Sequence, residues 1–534
     1  MPLLFSMDTS LKDDTHSSHS QISEKKDVAY LEEVQSGGGQ IHNDRIDPEV
    51  AKYASAKAIY IDQDTNKRLK RMIDKRVLLV MCVTYFLQSL DKATLSFSAI
   101  MGIQKDTGLV GQQYAWLSTC IYIGILFVEY PMNYIIQRVP IGKFLGFCIF
   151  CWAAVLCFHA LCKNFVSLLV VRTLLGIFES ACQPSFLVLS SMWYTKAENA
   201  MIITVSFSTI MLWFMMNGLQ QIFGGLLAYA FTNITSGPLK SWQWLFLAYG
   251  IISVAWAVFV IWYLPDSPMR AKCFSEDDKK LMVERVRSNQ TGLQNKKFRM
   301  DQAIEAFKDP QIYCYGLFQL FTTLPQSSIG AFANIIINGL GFSVLNTQLL
   351  AMVLGALIMG FPLSSAYLVR KYNQTIWTMI GFLIPSMIGT IVLMTVANTS
   401  ASTRAGLLVA YYVILSFWGA STLTLTLLSK NVGGQTKKSI AVAINFFCWA
   451  AGNAIGPQVM QSKDAPRYFT GFAVHMGCYV CAIITLVFLR FHFVRQNKKK
   501  QAFLDSRENE VDKDLVHSFD DLTDRQNPNF MYIY

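Results

Sequence analysis

The chain has 534 residues, of which 53% are hydrophobic and 15% are charged, and its mean hydropathy is +0.34. These values exclude an ordinary soluble domain, which carries more charge and fewer apolar residues. The formal net charge of +11 does not indicate a nucleic-acid partner, because the basic residues flank apolar segments instead of forming a basic face interleaved with aromatic residues.

The first part of the chain is polar. Residues 1–70 are rich in Ser, Asp, Lys and Glu and contain no apolar core of a signal peptide. Such a segment buries too little apolar surface to fold alone, so we predict a disordered cytosolic arm. Lys25 and Lys26 lie beside acidic residues, which suits the ubiquitination machinery as a partner of this arm.

Twelve apolar segments follow the arm. A helix needs about twenty apolar residues to cross the hydrocarbon core of a bilayer, and each segment has close to that length or more. The segments are residues 77–100, 114–137, 143–162, 166–190, 201–230, 243–264, 311–337, 345–369, 376–397, 405–429, 439–460 and 470–493. The sequence therefore predicts an all-α integral membrane protein with twelve transmembrane helices in a lipid bilayer.

Lys and Arg residues concentrate at the ends of alternate segments, and this bias sets the orientation in the membrane. Those before the first and after the last segment are Lys67, Arg68, Lys70, Arg71, Lys75, Arg76, Arg495, Lys498, Lys499 and Lys500. Both chain termini are therefore predicted to be cytosolic, which requires an even number of spans. The sequons at Asn233 and Asn398 then fall in outer loops, so both are glycosylation candidates.

A long polar stretch at residues 266–310 divides the spans. We predict a six-helix half at 71–265, a cytosolic linker at 266–310, a second six-helix half at 311–494 and a cytosolic tail at 495–534. Within the linker, Ser275 and Asp278 resemble a capping box that opens a short helix through Arg287. Two such halves around a site near the membrane midplane are the architecture of a secondary transporter.

Five charged side chains interrupt the spans of the first half, and the second half has almost none. They are Asp91, Lys92, Glu129, Arg172 and Glu179. A charge at this depth costs about 2.5–3.5 kcal/mol on insertion scales, so it marks an ion or substrate pathway by default. At about 1.5 Å per helical residue, Asp91 lies roughly 14 Å and Arg172 roughly 9 Å below the same surface, where they can face each other. Arg172 and Glu179 share one helix face, and Gly176 between them admits a close neighbour.

These residues suit anion capture and proton coupling. The planar guanidinium of Arg172 can hold a substrate carboxylate through two hydrogen bonds, and Lys92 can assist it. Asp91 or Glu179 is the candidate to take up a proton outside and release it inside, with Glu129, nearer the inner side, as the third candidate. The alternative is structural: Arg172 paired permanently with a carboxylate, or Glu129 paired with Lys92, locks helices together.

The spans of the second half offer hydrogen-bonding groups instead of charges. The seventh span contains the polar run 322–328, with Thr323 and Gln326, and is predicted to be a broken helix that lines the cavity. Asn445 in the eleventh span is a further candidate for substrate binding. Each of these residues could instead form hydrogen bonds between helices. No Cys and His residues have the spacing of a metal site, so we expect no metal or other cofactor, and a proton gradient as the driving force.

Several short motifs are similar to those of one transporter family. They are LDKATL at 90–95, VRTLLGIFES at 171–180 followed by Pro184, LPDSP at 264–268, KDAPRY at 463–468, and DLTD at 521–524 followed by NP at 527–528. With these motifs, and over nearly all of the chain from about Lys67, the sequence resembles fungal permeases of the major facilitator superfamily, in the allantoate permease branch of anion:cation symporters. The resemblance implies the major facilitator fold, with its two six-helix halves.

The resemblance also implies proton-coupled import of a small organic anion by alternating access. Substrates of the branch include allantoate, ureidosuccinate, vitamin carboxylates and related sulfur compounds. The plasma membrane is the expected location, with the endoplasmic reticulum as the alternative. A rival function is that of a nutrient sensor that signals through its tails without transport. An enzyme is not expected, because the sequence shows no nucleophile with a base, metal set or phosphate-binding loop.

Overall fold

The computed structural model describes residues 61–136, 138–195, 209–234, 237–271, 273–287, 299–506 and 522–534. Within those ranges every regular element is helical. Eleven helical segments there are long and apolar enough to cross a bilayer. A further long helix at the fifth predicted span contains no charged residue. The predicted all-α membrane fold is confirmed.

The first half is built from helices α1 to α8. Their bounds are Gln63–Ile73 (α1), Leu79–Ile100 (α2), Gln113–Ile136 (α3), Ile141–Phe158 (α4), Phe165–Glu179 (α5), Cys182–Trp193 (α6), Thr209–Thr232 (α7) and Ser241–Tyr263 (α8). A π-helical turn at Asp74–Leu78 joins α1 to α2 in one continuous helical segment. The fourth predicted span is divided into α5 and α6 by a turn at Ser180 and Ala181.

Two short helices precede the second half, and the tenth span within that half is divided into three pieces. The helices from the linker to the end of the second half are Glu276–Arg287 (α9), Met300–Lys308 (α10), Pro310–Gly339 (α11), Val344–Tyr372 (α12), Thr375–Thr395 (α13), Ala401–Ile414 (α14), Phe417–Ser421 (α15), Thr424–Asn431 (α16), Gln435–Val459 (α17) and Phe469–Asp505 (α18). The pieces of the tenth span are α14, α15 and α16. Most of the long helices begin and end within a few residues of the predicted spans.

The helix α1 corrects the predicted extent of the disordered arm. Residues 63–70 are helical, so the prediction of disorder up to residue 70 is wrong there. Asp62 caps the helix by accepting hydrogen bonds from two backbone N–H groups, and Leu69 and Ile73 are buried. A capped helix with one buried apolar face is stable even where most of its residues are polar. Residues 1–60 of the predicted arm, with the two lysines proposed for ubiquitination, lie outside the described residues.

The linker helix α9 begins and ends as predicted. Ser275 Oγ accepts a hydrogen bond from the backbone N–H of Asp278 (3.1 Å) and donates one to the Asp278 carboxylate (2.8 Å). Arg68 of α1 forms an ion pair with Asp278 (2.5 Å), and Arg285 donates a hydrogen bond to Asn66 Oδ1 (2.5 Å). The linker helix is therefore fastened to α1.

The predicted break in the seventh span is wrong, because α11 is continuous with Pro325 inside it. Pro325 removes only one backbone N–H from the helix. The helix packs along α17, where a Cβ on Gly456 would lie 2.6 Å from the Leu324 carbonyl oxygen. Ser328 Oγ also donates a hydrogen bond to the carbonyl of Gly456 (2.6 Å). Close packing thus keeps the parts of α11 before and after Pro325 in one continuous helix. The helix breaks occur instead in the fourth and tenth spans.

Glycines set the contact between the two halves at α7 and α12. A Cβ built on Gly355 would clash with the carbonyl oxygen of Gly218, whereas a Cβ on Gly360 of the same helix would meet no atom within 4 Å. We expect Gly355→Leu to separate α7 from α12 and to lower the thermal unfolding midpoint in detergent, because small residues permit this approach. Gly360→Leu should leave the midpoint nearly unchanged. Equal midpoints for the two variants would contradict this packing.

Hydrogen bonds join the two halves at the end of the bundle away from α1 and the docked tail. Thr119 Oγ1 donates to the carbonyl of Ala454 (2.8 Å) and accepts from Gln458 Nε2 (3.0 Å). Tyr114 Oη donates to the carbonyl of Ala331 (2.8 Å). The halves are therefore held together at this end, which is the outer end in the predicted orientation.

The tail residues 522–534 dock on the second half. Asn431 and Ile533 exchange two hydrogen bonds (2.8 and 2.7 Å), and Asn497 and Tyr532 exchange two more (2.9 Å each). The ring of Tyr532 stacks on Phe493, with 5.0 Å between the centroids. The end of the chain thus has a defined binding position beside α16 and α18.

Lys437 joins the docked tail to α10 and α11. Its Nζ lies 2.8 Å from a carboxylate oxygen of Glu305, 2.6 Å from one of Asp309 and 2.7 Å from one of Asp524. The side chains of Lys437, Asp309 and Asp524 are fully buried. Arg525 of the tail adds an ion pair with Asp309 (2.9 Å). We call these five residues the tail ion cluster.

Candidate functional site

Four of the five predicted charged residues lie together in the first half. Asp91 and Lys92 belong to α2, and Arg172 and Glu179 belong to α5. Arg172 and Glu179 are buried on one face of α5, as predicted, and a Cβ on Gly176 between them would clash with the backbone of α3. Asp91 interacts electrostatically with each of the other three charges, and Glu179 interacts with Lys92 and Arg172. We call these four residues the buried charge cluster.

Lys92 forms an ion pair with Glu179. Lys92 Nζ lies 3.1 Å from Glu179 Oε2, and the Glu179 side chain is fully buried while 27% of the Lys92 side chain is exposed. The predicted structural alternative, a pair between Lys92 and Glu129, is therefore wrong. Lys92 is the member of the buried charge cluster that a dissolved anion reaches most readily.

A turn in the fourth span positions Glu179. The helix α5 ends at Glu179, and Gln88 Nε2 of α2 donates a hydrogen bond to the Glu179 backbone carbonyl (3.2 Å). Pro184 lies in the first turn of α6 and lacks the N–H that a continuous helix would direct to Ser180. Pro184 is thus the sequence signal for this break. The turn places a carboxylate at a helix end beside Lys92.

Arg172 is not paired with a carboxylate. Its side chain is fully buried, and its three guanidinium nitrogens have no hydrogen-bond partner within the described part of the chain. Arg172 Cζ lies 5.7 Å from the ring centroid of Phe246, and the His159 ring stacks on Phe246 at 4.9 Å. The predicted alternative of a permanent Arg172–carboxylate pair is therefore wrong for this structure. The guanidinium keeps its five donors for an anion.

Asp91 is a second group without a partner. Its side chain is fully buried near the indole of Trp152, and neither carboxylate oxygen forms a hydrogen bond of good geometry with a described residue. An ionised carboxylate is costly in such a place unless a charge or a proton compensates it. Asp91 and Arg172 are therefore the two buried charges of the cluster that form no ion pair within the described residues.

Glu129 lies apart from the buried charge cluster. It is a half-buried residue of α3, and its backbone carbonyl accepts a hydrogen bond from Asn133 Nδ2 (2.9 Å). Its Oε2 atom is buried and has no hydrogen-bond partner among the residues described. The structure therefore does not bring this third proton-carrier candidate together with Asp91 and Glu179.

The three predicted substrate contacts of the second half lie in different environments. Thr323 is fully buried, accepts a hydrogen bond from Gln319 Nε2 (2.8 Å) and packs against Gly452 of α17. Gln326 is half-buried. Asn445 is 5% exposed, and its Oδ1 has no partner in the described ranges. In this conformation Thr323 thus bonds within α11 and packs against α17, whereas Asn445 retains an acceptor for a ligand.

A polar face beside Lys92 was not predicted from the sequence. Tyr85, Ser89 and Lys92 follow one another at intervals of four and three residues, so they share one face of α2. Ser89 Oγ donates to Asn217 Oδ1 (3.1 Å), and Asn217 Nδ2 donates to Tyr85 Oη (3.2 Å). The helical spacing could have indicated Tyr85 and Ser89, but only the contact identifies Asn217 on α7.

An aromatic wall from both halves was also missed. Tyr122 of α3 and Trp449 of α17 pack edge to face with 6.0 Å between their ring centroids, and Phe446 lies 5.1 Å from Trp449. Tyr122 also lies near Lys92. Aromatic residues are common in apolar spans, so the sequence gives no signal for this contact.

The glycosylation candidates Asn233 and Asn398 are exposed and lie at the end of the bundle away from α1 and the docked tail. If that end faces outward, N-glycosylation is expected at these sequons. Asn→Gln substitutions at both positions should then remove the endoglycosidase-sensitive gel shift. Asn373 opens a third sequon, Asn373-Gln374-Thr375, at the opposite end of the bundle. A glycan on Asn373 would contradict the predicted orientation.

Residues 81–457 match the family model of the Major Facilitator Superfamily. An uncharacterized transporter of Schizosaccharomyces pombe is 33% identical over 495 residues, which are 91% of this chain and 92% of that protein. The allantoate permease of Saccharomyces cerevisiae is 30% identical over 518 residues, which are 94% of this chain and 93% of that protein.

The fold is shared with solved transporters of low sequence similarity. One is a bacterial homolog of the human lysosomal transporter Spinster in an inward-facing, unoccupied conformation. It has a TM-score of 0.58 and 15% sequence identity, and the match covers 77% of this chain and 95% of that chain. At this identity the likeness shows the fold alone.

Proposed function

The chain belongs to the Major Facilitator Superfamily, in its allantoate permease-like branch, and from this premise we propose that it imports a small organic anion together with protons. It is a membrane transporter and not an enzyme. The proposed substrates are carboxylates such as allantoate, ureidosuccinate and vitamin carboxylates, or related sulfur compounds. The proposed location is the plasma membrane, with both chain termini in the cytosol.

The ion pair between Lys92 and Glu179 is the observation that carries this proposal. Lys92 is the partly exposed member of the pair, and its Nζ is 3.1 Å from Glu179 Oε2. A substrate carboxylate that reaches Lys92 must compete with Glu179 for the same ammonium group. Substrate binding and the release of Glu179 from Lys92 are then one event.

Release from Lys92 leaves Glu179 as a fully buried carboxylate without its cation. A buried charge without a partner is costly, and a bound proton removes that cost. Glu179 therefore takes up a proton when a substrate anion occupies Lys92. When the proton leaves toward the cytosol, Glu179 pairs with Lys92 again and displaces the substrate.

The other members of the site support an anion at Lys92. Arg172 has unused donors, and its positive charge favours an anion nearby. Asp91, which also lacks a partner, is the second candidate proton carrier. The aromatic wall of Tyr122 and Trp449 offers an apolar surface to the body of the substrate.

Alternating access requires the outer end of the bundle to open. The hydrogen bonds of Thr119 with Ala454 and Gln458 join the halves at that end and must break for substrate to enter. The buried charge cluster lies in the first half, so movement of the second half past it changes which side of the membrane Lys92 faces.

Purified protein in liposomes tests this function. With an inward proton gradient, we expect at least one of labelled allantoate, ureidosuccinate, nicotinate and biotin to accumulate. Its uptake should acidify the lumen, as reported by an enclosed pH dye. A protonophore should abolish accumulation and leave exchange of labelled for unlabelled substrate.

The alternative function is a nutrient sensor without transport. A sensor would bind one of these carboxylates, as shown by thermal stabilisation, yet give no flux in the same liposomes. Flux that does not depend on the proton gradient would support transport by this protein but contradict proton coupling.

A further inference from the structure

A groove on the second half lies outside the site described above. It runs between α12, α13 and α14 and has a volume of about 700 Å³. Its lining is mainly apolar and aromatic and contains no Asp or Glu. Trp377 in its wall is 52% exposed, so the groove opens on the surface of the bundle that the bilayer surrounds.

The groove results from the way α13 and α14 pack. A Cβ built on Gly381 of α13 would meet no atom within 4 Å, and Pro385 follows one turn later. Opposite, α14 ends at Ile414, and Ser416 Oγ donates a hydrogen bond to the Phe382 carbonyl (2.8 Å). Small residues on one side and a helix break on the other thus create the space.

The length of the groove matches one leaflet of a bilayer. Its lining on α12 extends from Phe361 to Tyr372, at the helix end on the side of α1 and the docked tail. Eleven helical steps of about 1.5 Å give roughly 16 Å, which is about half of the ~30 Å hydrocarbon core. Extended methylene chains of a single leaflet occupy this depth.

The mouth of the groove carries positive charge. Lys371 Nζ lies 5.2 Å from the ring centroid of Tyr372, which is 59% exposed. Arg490 Nη1 donates a hydrogen bond to Gln374 Oε1 (3.2 Å), and its Cζ lies 5.1 Å from the ring centroid of Trp377. Two cations therefore flank the end where a lipid headgroup would lie.

We propose that this groove binds one acyl chain of an anionic phospholipid, with the phosphate of its headgroup at Lys371 and Arg490. The apolar walls suit the chain, the depth suits one leaflet, and the two cations favour a negative headgroup over a zwitterionic one. In the predicted orientation the lipid belongs to the cytosolic leaflet, which is rich in anionic lipids. Arg490 Cζ also lies 4.7 Å from the ring centroid of Tyr534, so the headgroup would bind beside the docked tail.

The test compares the full chain in nanodiscs of phosphatidylcholine with and without phosphatidylserine. Because a ligand that binds only the folded state raises its stability, phosphatidylserine should raise the thermal midpoint by at least about 2 °C. Gly381→Leu fills the groove and should abolish this increment, and Arg490→Gln should reduce it. Gly477→Leu is the matched control, since a Cβ on Gly477 of α18 also meets no atom within 4 Å, and it should retain the increment.

A second measurement covers the case in which Gly381→Leu fails to fold. Phosphatidylserine with brominated acyl chains should quench the fluorescence of the wild-type chain more than brominated phosphatidylcholine, and Trp377→Phe should remove that difference. Equal stabilisation or equal quenching by the two lipids would overturn the proposal. So would a Gly381→Leu variant that folds and keeps the full phosphatidylserine increment.

Discussion

Glu179→Gln should abolish proton-driven accumulation of substrate and leave exchange of substrate across the membrane intact. The Gln side chain is a neutral stand-in for protonated Glu179, so Lys92 stays available to the substrate anion throughout the cycle. Without a proton to release, the variant has no means of displacing the substrate inward against its gradient. Accumulation under a proton gradient and counterflow without one, measured in the same liposomes, separate the two effects.

Glu129→Gln is the matched control for this prediction. It makes the same chemical change at a half-buried carboxyl of α3 outside the buried charge cluster, and it should retain accumulation. The opposite pattern, with accumulation lost in Glu129→Gln and kept in Glu179→Gln, would identify Glu129 as the proton carrier in place of Glu179. Loss of surface abundance in Glu179→Gln would show that the ion pair mainly supports folding.

Lys92→Gln tests the other side of the same pair. Removing the cation should weaken apparent substrate affinity by ~30-fold or more, because truncating one partner of a buried charge pair costs about 2–5 kcal/mol. Unlike Glu179→Gln, this variant should lose exchange as well as accumulation. Lys163→Gln, at an exposed position in the turn before α5, is expected to transport normally.

The sequence predicted the spans well because hydrophobic length and the spacing of charges are local properties. The shared face of Arg172 and Glu179 followed from helical periodicity and is present in the structure. The rise per helical residue placed Asp91 and Arg172 at comparable depths in the membrane. It does not show in which direction each side chain points around its helix axis. The pairing of Lys92 with Glu179, 87 residues further along the chain, depends on that direction and could not be predicted.

Two further predictions, for the seventh span and for residues 63–70, were wrong because they also depend on contacts between residues distant in sequence. Pro325 and the polar run around it suggested a broken seventh span, yet contact with α17 keeps α11 continuous. Residues 63–70 are polar enough to suggest disorder, yet they pack on the linker through Arg68 and Asp278. In each case a residue distant in sequence supplies the stabilisation. The composition of a short stretch of sequence contains no information about that contact.

Asp524→Asn should release the tail and destabilise the second half. Asp524 is fully buried, and its carboxylate accepts hydrogen bonds from Gln311 Nε2 (2.9 Å) and Tyr532 Oη (2.7 Å) in addition to its ion pair with Lys437. Loss of one partner in a buried ion cluster costs about 3–5 kcal/mol. We expect a lower thermal midpoint in detergent and faster digestion of the C-terminus by carboxypeptidase. Asp505→Asn, an exposed carboxyl at the end of α18, is the control and should change neither.

The pH dependence of tail docking follows from Asp309. Burial alone would raise the pKa of this carboxyl, but Lys437 and Arg525 hold it below its ordinary value. A group whose pKa is lower in the folded state contributes stability above its unfolded pKa of about 3.9, and that contribution is lost as pH falls through the folded pKa. The tail should therefore remain docked between about pH 5 and pH 7 and should detach only below about pH 4. Digestion that accelerates between pH 7 and pH 6 would contradict this assignment.

Whether the tail ion cluster acts as one unit can be measured with a double-mutant cycle. Lys437→Met alone leaves Glu305, Asp309 and Asp524 close together without their shared cation, so repulsion adds to the lost attraction. Asp524→Asn in the same chain removes one of those charges and relieves part of the repulsion. The double variant should therefore lose less stability than the sum of the two single losses, with a coupling of about 0.5–3 kcal/mol. Strict additivity would mean that Asp524 holds the tail through Gln311 and Tyr532, and that its contact with Lys437 contributes nothing.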